Sequence, residues 1–353
     1  MARNIIGKSR ATSFDVAFNA GVSQATVSRA LSGSSLVSED TRARIRTIAA
    51  QLNYKVDKHA SALRRQHATT IALLLFEDPT SDDSLINPFF LSMIGHLTQS
   101  CARAGYDLLV SFQQQSQDWH ADFLDNHKAD GIILLGYGDY LAYQSRLEQL
   151  ALSGTLFVRW GGIFPDQLGA SVGCNNQEGG FNATQHLLGM GRRKLAFLGT
   201  ATPAFPEFFA RHEGFLAAHA AVGLSPDQQL LVPASDSTET EGYRAAQQLI
   251  GRNCAFDGII ASSDLIAIGA IRALADAGLR VPEDVAVVGF DDMPAARFGN
   301  PALSTVLQDT KRAAELLVEL IVRQINGEKV QSHIIPAPLI VRESCGAKRI
   351  PVP

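Results

Sequence analysis

No window of this chain approaches the roughly 18–20 uninterrupted apolar residues that a membrane-spanning helix needs. The opening stretch, Met1 to Arg10, has no apolar core and no small-residue cleavage site, so the protein is expected to remain in the cytoplasm. Cysteine is scarce. Cys101, Cys174, Cys254 and Cys345 are scattered, with no CxxC pair and no histidine at metal-ligand spacing, and they read as reduced, buried thiols. Catalytic signatures are missing as well. There is no GxSxG, HExxH or phosphate-binding loop, and Gly189-Met190-Gly191 lacks the third glycine of a dinucleotide fingerprint. These absences predict a protein that is not an enzyme and that carries neither metal nor cofactor.

What is present is uneven. Hydrophobic residues make up 46% of the 353 and charged residues 19%, enough apolar material for a packed core and too much for a disordered chain. Residues 1–66 hold 11 Lys+Arg against 4 Asp+Glu, whereas the other 287 hold 20 against 31. A basic head on an acidic body predicts that the head alone meets a polyanion, because affinity for nucleic acid comes largely from releasing counterions at phosphates.

The head reads as three short helices. Thr12 can cap a helix through Asn19, and Gly21 supplies the left-handed residue of a sharp turn. Ser23 can cap a second helix, Gln24 to Leu31. Ser38 can cap a third, on which Ile45, Ile48, Ala49 and Leu52 fall at i, i+3, i+4 and i+7. Helix-Gly-helix alone is a weak signal, since any helical hairpin shares it. The string is more specific: Asp15-Val16-Ala17-x-x-Ala20-Gly21-Val22-Ser23-x-x-Thr26-Val27-Ser28-Arg29-x-Leu31-x-Gly33, then Val37-Ser38-x-x-Thr41-Arg42, Leu52-Asn53-Tyr54 and Ala60-Ser61-Ala62-Leu63. It closely resembles the DNA-binding head and hinge of the lactose-repressor-like (LacI/GalR) family of bacterial transcriptional regulators.

The resemblance implies that the second helix lies in the major groove and reads base edges through Gln24, Ala25 and Arg29. Arg29 suits guanine, Gln24 adenine, and Ala25 offers only a methyl contact to thymine. Ser23, Thr26, Ser28 and Thr41 would hold phosphates, although helix capping is an equally good use for such hydroxyls. A hinge helix over residues 57–65 would place Ala60 and Leu63 in the minor groove, with Leu63 wedged into a base step. Val56, where the family commonly has proline, and bulky His59 depart from that pattern.

From Thr70 onward, apolar runs alternate with amphipathic stretches. Residues 71–76, 107–111, 131–135, 156–158, 195–198, 258–261 and 285–289 look like buried parallel strands, with helices such as 91–104, 179–189 and 265–277 between them. This alternation predicts two doubly wound α/β lobes. Asn87-Pro88-Phe89-Phe90, Gly179-Gly180, Arg211-x-x-Gly214-Phe215, Gly289-Phe290-Asp291-Asp292 and Val341-Arg342-Glu343-Ser344 resemble the same family's periplasmic-binding-protein-like body. The match thus runs from about Thr12 to Ser344.

The expected organisation is a helix-turn-helix domain over 1–56, a hinge and linker over 57–69, and an effector-binding and dimerisation domain over 70–353. Its first lobe would take about 70–174 and 305–335, its second about 175–304 and 336–353. By resemblance the effector site comprises Asn87, Phe89, Phe90, Trp160, Arg211, Ser263, Asp264 and Asp291. Phe89 and Phe90 would cover an apolar sugar face while Arg211 and Asp291 take hydroxyls. Core packing for the aromatics and a structural ion pair for Arg211 and Asp291 are the plainer readings. Three departures argue against copying the effector of any relative: Ser263-Asp264 in place of Asn-Asp, Asn175-Asn176 in place of Asp-Asn, and Trp160-Gly161-Gly162 where an Asp-Arg pair often stands. The expected partners are a pseudo-palindromic DNA operator, a second copy of the chain and a small effector, a saccharide or alternatively a purine or other metabolite. A membrane partner is not expected. A solute-binding transport protein would share the body but not the basic head.

Overall fold

The computed structural model describes residues 11–31, 33–54, 67–75, 86–112, 118–136, 140–164 and 167–347. The hinge residues Ala60 and Leu63 lie outside these segments. The chain divides into two compact units, residues 1–68 and 69–353.

The head contains α1 (Ser13–Ala20), α2 (Gln24–Leu31) and α3 (Glu39–Gln51). Each start follows from a cap. Thr12 and Asp15 form a reciprocal capping box, with the Thr12 N–H donating to Asp15 Oδ2 at 2.7 Å. Ser23 Oγ accepts from the Thr26 N–H at 3.1 Å, and Ser38 Oγ from the Thr41 N–H at 3.4 Å. Gly21 ends α1 at φ 62°, a conformation a Cβ would oppose. Val16, Ala17, Ala20, Val27, Ala30, Val37, Ile45 and Ala49 form the core, with Val22, Leu31, Ile48 and Leu52 half-buried around it.

The body carries two six-stranded sheets. The first contains β1 (Thr70–Leu75), β2 (Asp107–Phe112), β3 (Gly131–Leu135), β4 (Phe157–Trp160), β5 (Ala170–Cys174) and, late in the chain, β11 (His333–Ile335). Its order is β11-β5-β4-β3-β1-β2, and every pair is parallel. Its helices are α4 (Pro88–Ala104), α5 (Tyr140–Leu152) and α11 (Thr310–Ile325). The second contains β6 (Leu195–Leu198), β7 (Leu231–Val232), β8 (Gly258–Ala261), β9 (Ala286–Asp291), β10 (Ser304–Leu307) and β12 (Leu339–Ile340), in the order β12-β10-β9-β8-β6-β7. Here α6 (Asn176–Gly189), α7 (Pro206–Ala221), α8 (Glu239–Gly251), α9 (Asp264–Asp276) and α10 (Pro294–Phe298) intervene. The first five strands of each sheet follow one order: second, first, third, fourth, fifth. β1, β3, β4, β5, β6, β8 and β9 are buried nearly end to end because helices cover both faces, which is why most of them, such as β1 and β3, read as apolar runs.

Three expectations need adjusting. The second sheet is not wholly parallel, since β12 pairs antiparallel with β10. The chain re-enters the first lobe after β10 ends at Leu307 rather than at about 305. It crosses between lobes after β5, after β10 and between β11 and β12. Cys254 departs from the expected burial, being half-exposed, whereas Cys101, Cys174 and Cys345 are buried. No described helix is long and apolar enough to cross a membrane.

Candidate functional site

In the head, Val27 and Ala30 turn α2 inward, which leaves Ala25, Ser28 and Arg29 exposed together at i, i+3 and i+4. Gln24 is half-buried, and its Nε2 donates to Ser13 Oγ at the start of α1, 2.7 Å away. Ser23 and Thr26 pair through their hydroxyls at 2.9 Å, and Ser38 Oγ donates to Thr41 Oγ1 at 2.9 Å. The capping reading is thus realised for Ser23, whereas Thr41 is the third residue of α3 and its hydroxyl accepts from the cap, Ser38. Their hydroxyls still sit at helix N-termini, where backbone N–H groups favour an anion.

In doubly wound sheets ligands collect at the carboxyl ends of strands. Trp160 ends β4 and Asp291 ends β9, while Ser262 and Ser263 directly follow β8. Asn87, reached from β1, caps α4: its Oδ1 accepts from the Phe89 N–H at 3.0 Å. Its Nδ2 reaches into the second lobe and donates to the Ser237 carbonyl at 3.2 Å. Ser237 Oγ in turn donates to Ser263 Oγ at 2.8 Å, and Ser263 caps α9 through the Ile266 N–H. A second tie joins the lobes where the Gly162 N–H donates to Glu207 Oε1 at 2.7 Å.

Arg211 lies at the centre, 1% exposed on α7. Gly180 and Gly214 let α6 and α7 pack so closely that a Cβ at Gly180 would overlap the Arg211 carbonyl. Arg211 Nε donates to Asn176 Oδ1 at 2.8 Å, and Nη1 donates to the Ser262 carbonyl. Nη1 stands 3.7 Å from Asp291 Oδ1, and the guanidinium lies 3.8 Å from the centre of the Phe290 ring. Gln308 Nε2 donates to Asp291 Oδ1 at 2.6 Å, and the Cys174 thiol donates to Gln308 Oε1 at 3.0 Å. Residues from both first crossings thereby join one buried network. Asp291 has φ 125° and Asp292 φ 52°, so the backbone at the end of β9 is held in a region that side chains disfavour.

Burial pushes the Asp291 carboxyl up to about 6, with Arg211 and then Gln308 pulling it back. Burial likewise pushes the Cys174 thiol up to about 12. Because the folded value of Asp291 exceeds its ordinary 3.8, the folded state holds the proton more tightly. That contribution is fully present below about pH 4 and is lost as pH rises through about 6. Asp291→Asn cannot ionise. Its stability relative to wild type is expected to improve between about pH 4 and 6 in urea melts, and a difference constant with pH would count against this carboxyl.

Phe89, Phe90 and Trp160 cluster at the carboxyl end of the first sheet, with rings 5.2 Å apart for Phe89–Phe90 and 6.1 Å for Phe89–Trp160. Phe89 shares a cavity of about 270 Å³ with Asp291, Gln308, Ser92 and His96. Phe90 is core. Trp160 lines a smaller space of about 40 Å³ with Tyr140, Arg159 and Glu207. Among the described residues, the buried polar atoms at these strand ends that have no partner are Arg159 Nε, Trp160 Nε1, Asp291 Oδ2 and Ser262 Oγ. Leaving such atoms bare is costly unless a ligand or water satisfies them.

The Asp264 backbone also pulls the Asp291 carboxyl back, but the Asp264 side chain does not join this group. Its Oδ1 accepts from Thr305 Oγ1 and its Oδ2 from the Met293 N–H at 2.8 Å, so it braces the interior of the second lobe. Its carboxyl is pushed well up, by burial first and by nearby Asp291 second. Conversely Asn176, Ser237 and Gln308 sit in the network without having been named as site residues in the sequence. Gln308 and Ser237 lie in loops with no motif around them, and only Asn175-Asn176 carried a signal.

Comparison with known proteins agrees with this geometry. Residues 14–57 match the bacterial regulatory proteins of the lacI family, and residues 184–345 match a periplasmic binding protein-like domain. The HTH-type transcriptional repressor PurR of Erwinia tasmaniensis is 31% identical over 336 residues, covering 92% of this chain and 93% of that protein. The HTH-type transcriptional regulator CelR of Thermobifida fusca is 29% identical over 337 residues, covering 93% and 96%. Among solved structures, a complex of the transcriptional regulator CelR with cellobiose is similar at 29% identity and a TM-score of 0.69, over 95% of this chain and all of that one. The lac repressor dimer bound to operator shares the fold at a TM-score of 0.79 and 22% identity, over 96% and 99%. With its helix-turn-helix head, two-lobed body and full-length relatives, the chain belongs to the LacI family of DNA-binding transcriptional regulators.

Proposed function

We propose that this protein is a repressor of carbohydrate-utilisation genes whose operator binding is set by a small neutral saccharide held between the lobes of the body. What carries the reading is the pairing of aromatic faces with an unfilled acceptor. Phe89 and Asp291 line one cavity, and Asp291 Oδ2 has no partner among the described residues. A sugar ring offers C–H faces to the one and hydroxyls to the other. Arg211, Asn87 and Ser263 are proposed to complete the site with Trp160, while Asp264 acts as its brace. The similar CelR structure carries cellobiose, which favours a sugar. A purine is the second reading, favoured by the similarity to PurR. A ligand that touches both lobes prefers one lobe arrangement, and only that preference can alter the affinity of the heads for DNA.

The protein is proposed to act as a homodimer on a pseudo-palindromic operator, as two-fold symmetry requires of paired heads. Edge strand β2 supports this: Leu109, Val110 and Phe112 are 37%, 44% and 43% exposed along an edge that pairs with no further strand among the described residues. Titration calorimetry of the full chain against a panel of mono- and disaccharides and of nucleobases tests the effector. Heat from a sugar, with weaker binding by Asp291→Asn, is the expected result. Heat from a nucleobase alone overturns it.

A further inference from the structure

The bond between Gln24 and Ser13 joins two positions of the same kind. Each is the first residue after its helix's N-cap, Thr12 for α1 and Ser23 for α2. Both caps are closed, so the backbone at either end of the bond is fixed. Thr12 Oγ1 donates to Asp15 Oδ2 at 2.7 Å on one side, and Ser23 Oγ accepts from the Thr26 N–H at 3.1 Å on the other. Between them Gln24 Nε2 donates to Ser13 Oγ at 2.7 Å, eleven residues back along the chain. A glutamine in this place would otherwise sample many rotamers, and its amide could turn through half a rotation to exchange its oxygen for its NH₂. Ala25, exposed beside it, has no polar atom to orient it instead.

With one N–H committed to Ser13, Gln24 has left its Oε1 acceptor and its second N–H. Side by side, these complement adenine, which presents an N6 donor next to its N7 acceptor in the major groove. Guanine presents two acceptors there, and a glutamine meets both only by turning its NH₂ group forward, which exchanges the observed N–H···Oγ bond for one in which the Ser13 hydroxyl donates to Oε1. We infer that Ser13 is a specificity-determining residue for DNA: it holds the Gln24 amide with Nε2 turned toward α1, the orientation that selects adenine at one position of each half-site. The inference rests on the reading that α2 faces base edges. Ser13 itself need touch no base, and its action is exerted by positioning Gln24.

The test is quantitative binding of the full-length protein to every single-base variant of its selected operator, at fixed salt. The variants compared are Ser13→Ala, Ser13→Thr and Gln24→Ala. Ser13→Ala is expected to shrink the preference for adenine at one symmetric pair of positions by about five- to tenfold, the size of one net hydrogen bond. Preferences elsewhere in the operator should stay as they are. Ser13→Thr keeps the hydroxyl and should retain most of the adenine preference, whereas Gln24→Ala should erase it at that same pair. If Ser13→Ala weakens all sequences by one common factor while Gln24→Ala acts at a single position, Ser13 is only a strut between helices and the inference fails. A preference for guanine or thymine at the Gln24 position also overturns it. If Gln24→Ala alters no position, it is the placing of α2 against the bases that fails.

Discussion

Replacing Arg211 by alanine is expected to destabilise the body by about 3–5 kcal/mol and to abolish its response to effector. Truncating one member of a buried charge pair costs this much because the other member stays behind uncompensated. Arg211 is 1% exposed and Asp291 2%, so solvent screens neither. The substitution also strips donors from Asn176 Oδ1 and the Ser262 carbonyl and uncovers the Phe290 ring. Asp291 can then avoid a buried charge only by keeping its proton, and the cost should be smaller near pH 5 than at pH 7. A double variant, Arg211→Ala with Asp291→Asn, removes both charges and should recover part of the loss. Urea denaturation of the full chain measures all of this. A loss below about 1 kcal/mol with unchanged ligand heats would place the centre of the site elsewhere.

Arg29→Ala is expected to lower operator affinity by about 10²–10⁴-fold while leaving weak, salt-dependent binding to any DNA. A bidentate arginine–guanine contact supplies about 1–3 kcal/mol, and two heads in a dimer make it twice. Arg29 is exposed on the same face of α2 as Ala25 and Ser28, away from the core residues Val27 and Ala30, so the fold should survive its loss. Phosphate contacts persist, and the remaining affinity should still fall steeply with salt. Competition between operator and scrambled DNA measures the effect. An unchanged ratio of the two affinities would remove Arg29 from the reading face.

Local information settled a large part of this protein. The capping residues Thr12, Ser23 and Ser38, the turn at Gly21 and the apolar spacing of Ile45, Ile48, Ala49 and Leu52 define three helices, because each depends on residues within one or two turns. Apolar runs such as Ile71–Leu75 and Gly131–Leu135 announced buried strands, since helices on both faces leave no polar alternation. The family motifs carried the two-lobed body, and the comparisons agree. Short strands were missed where the run was too brief or too small in side chain, as in Ala170–Cys174, His333–Ile335 and Leu339–Ile340.

The sites divide along the same line. Sequence sufficed to say that residues 1–66 are basic and that Arg211 and Asp291 match the charged positions of the family's effector site. Tertiary structure alone decided which partner each polar group meets. Asp264 looked like a ligand contact beside Ser263, yet Thr305 and Met293, 41 and 29 residues away, claim both of its oxygens. Gln308 and Cys174 are 134 residues apart and share a hydrogen bond because two crossings between the lobes pass side by side. Ser13 reaches Gln24 only because the turn at Gly21 brings two helix starts together. Periodicity reports the face a residue turns toward its own sheet or helix bundle; the group waiting on that face comes from a distant part of the chain, and only packing brings it there.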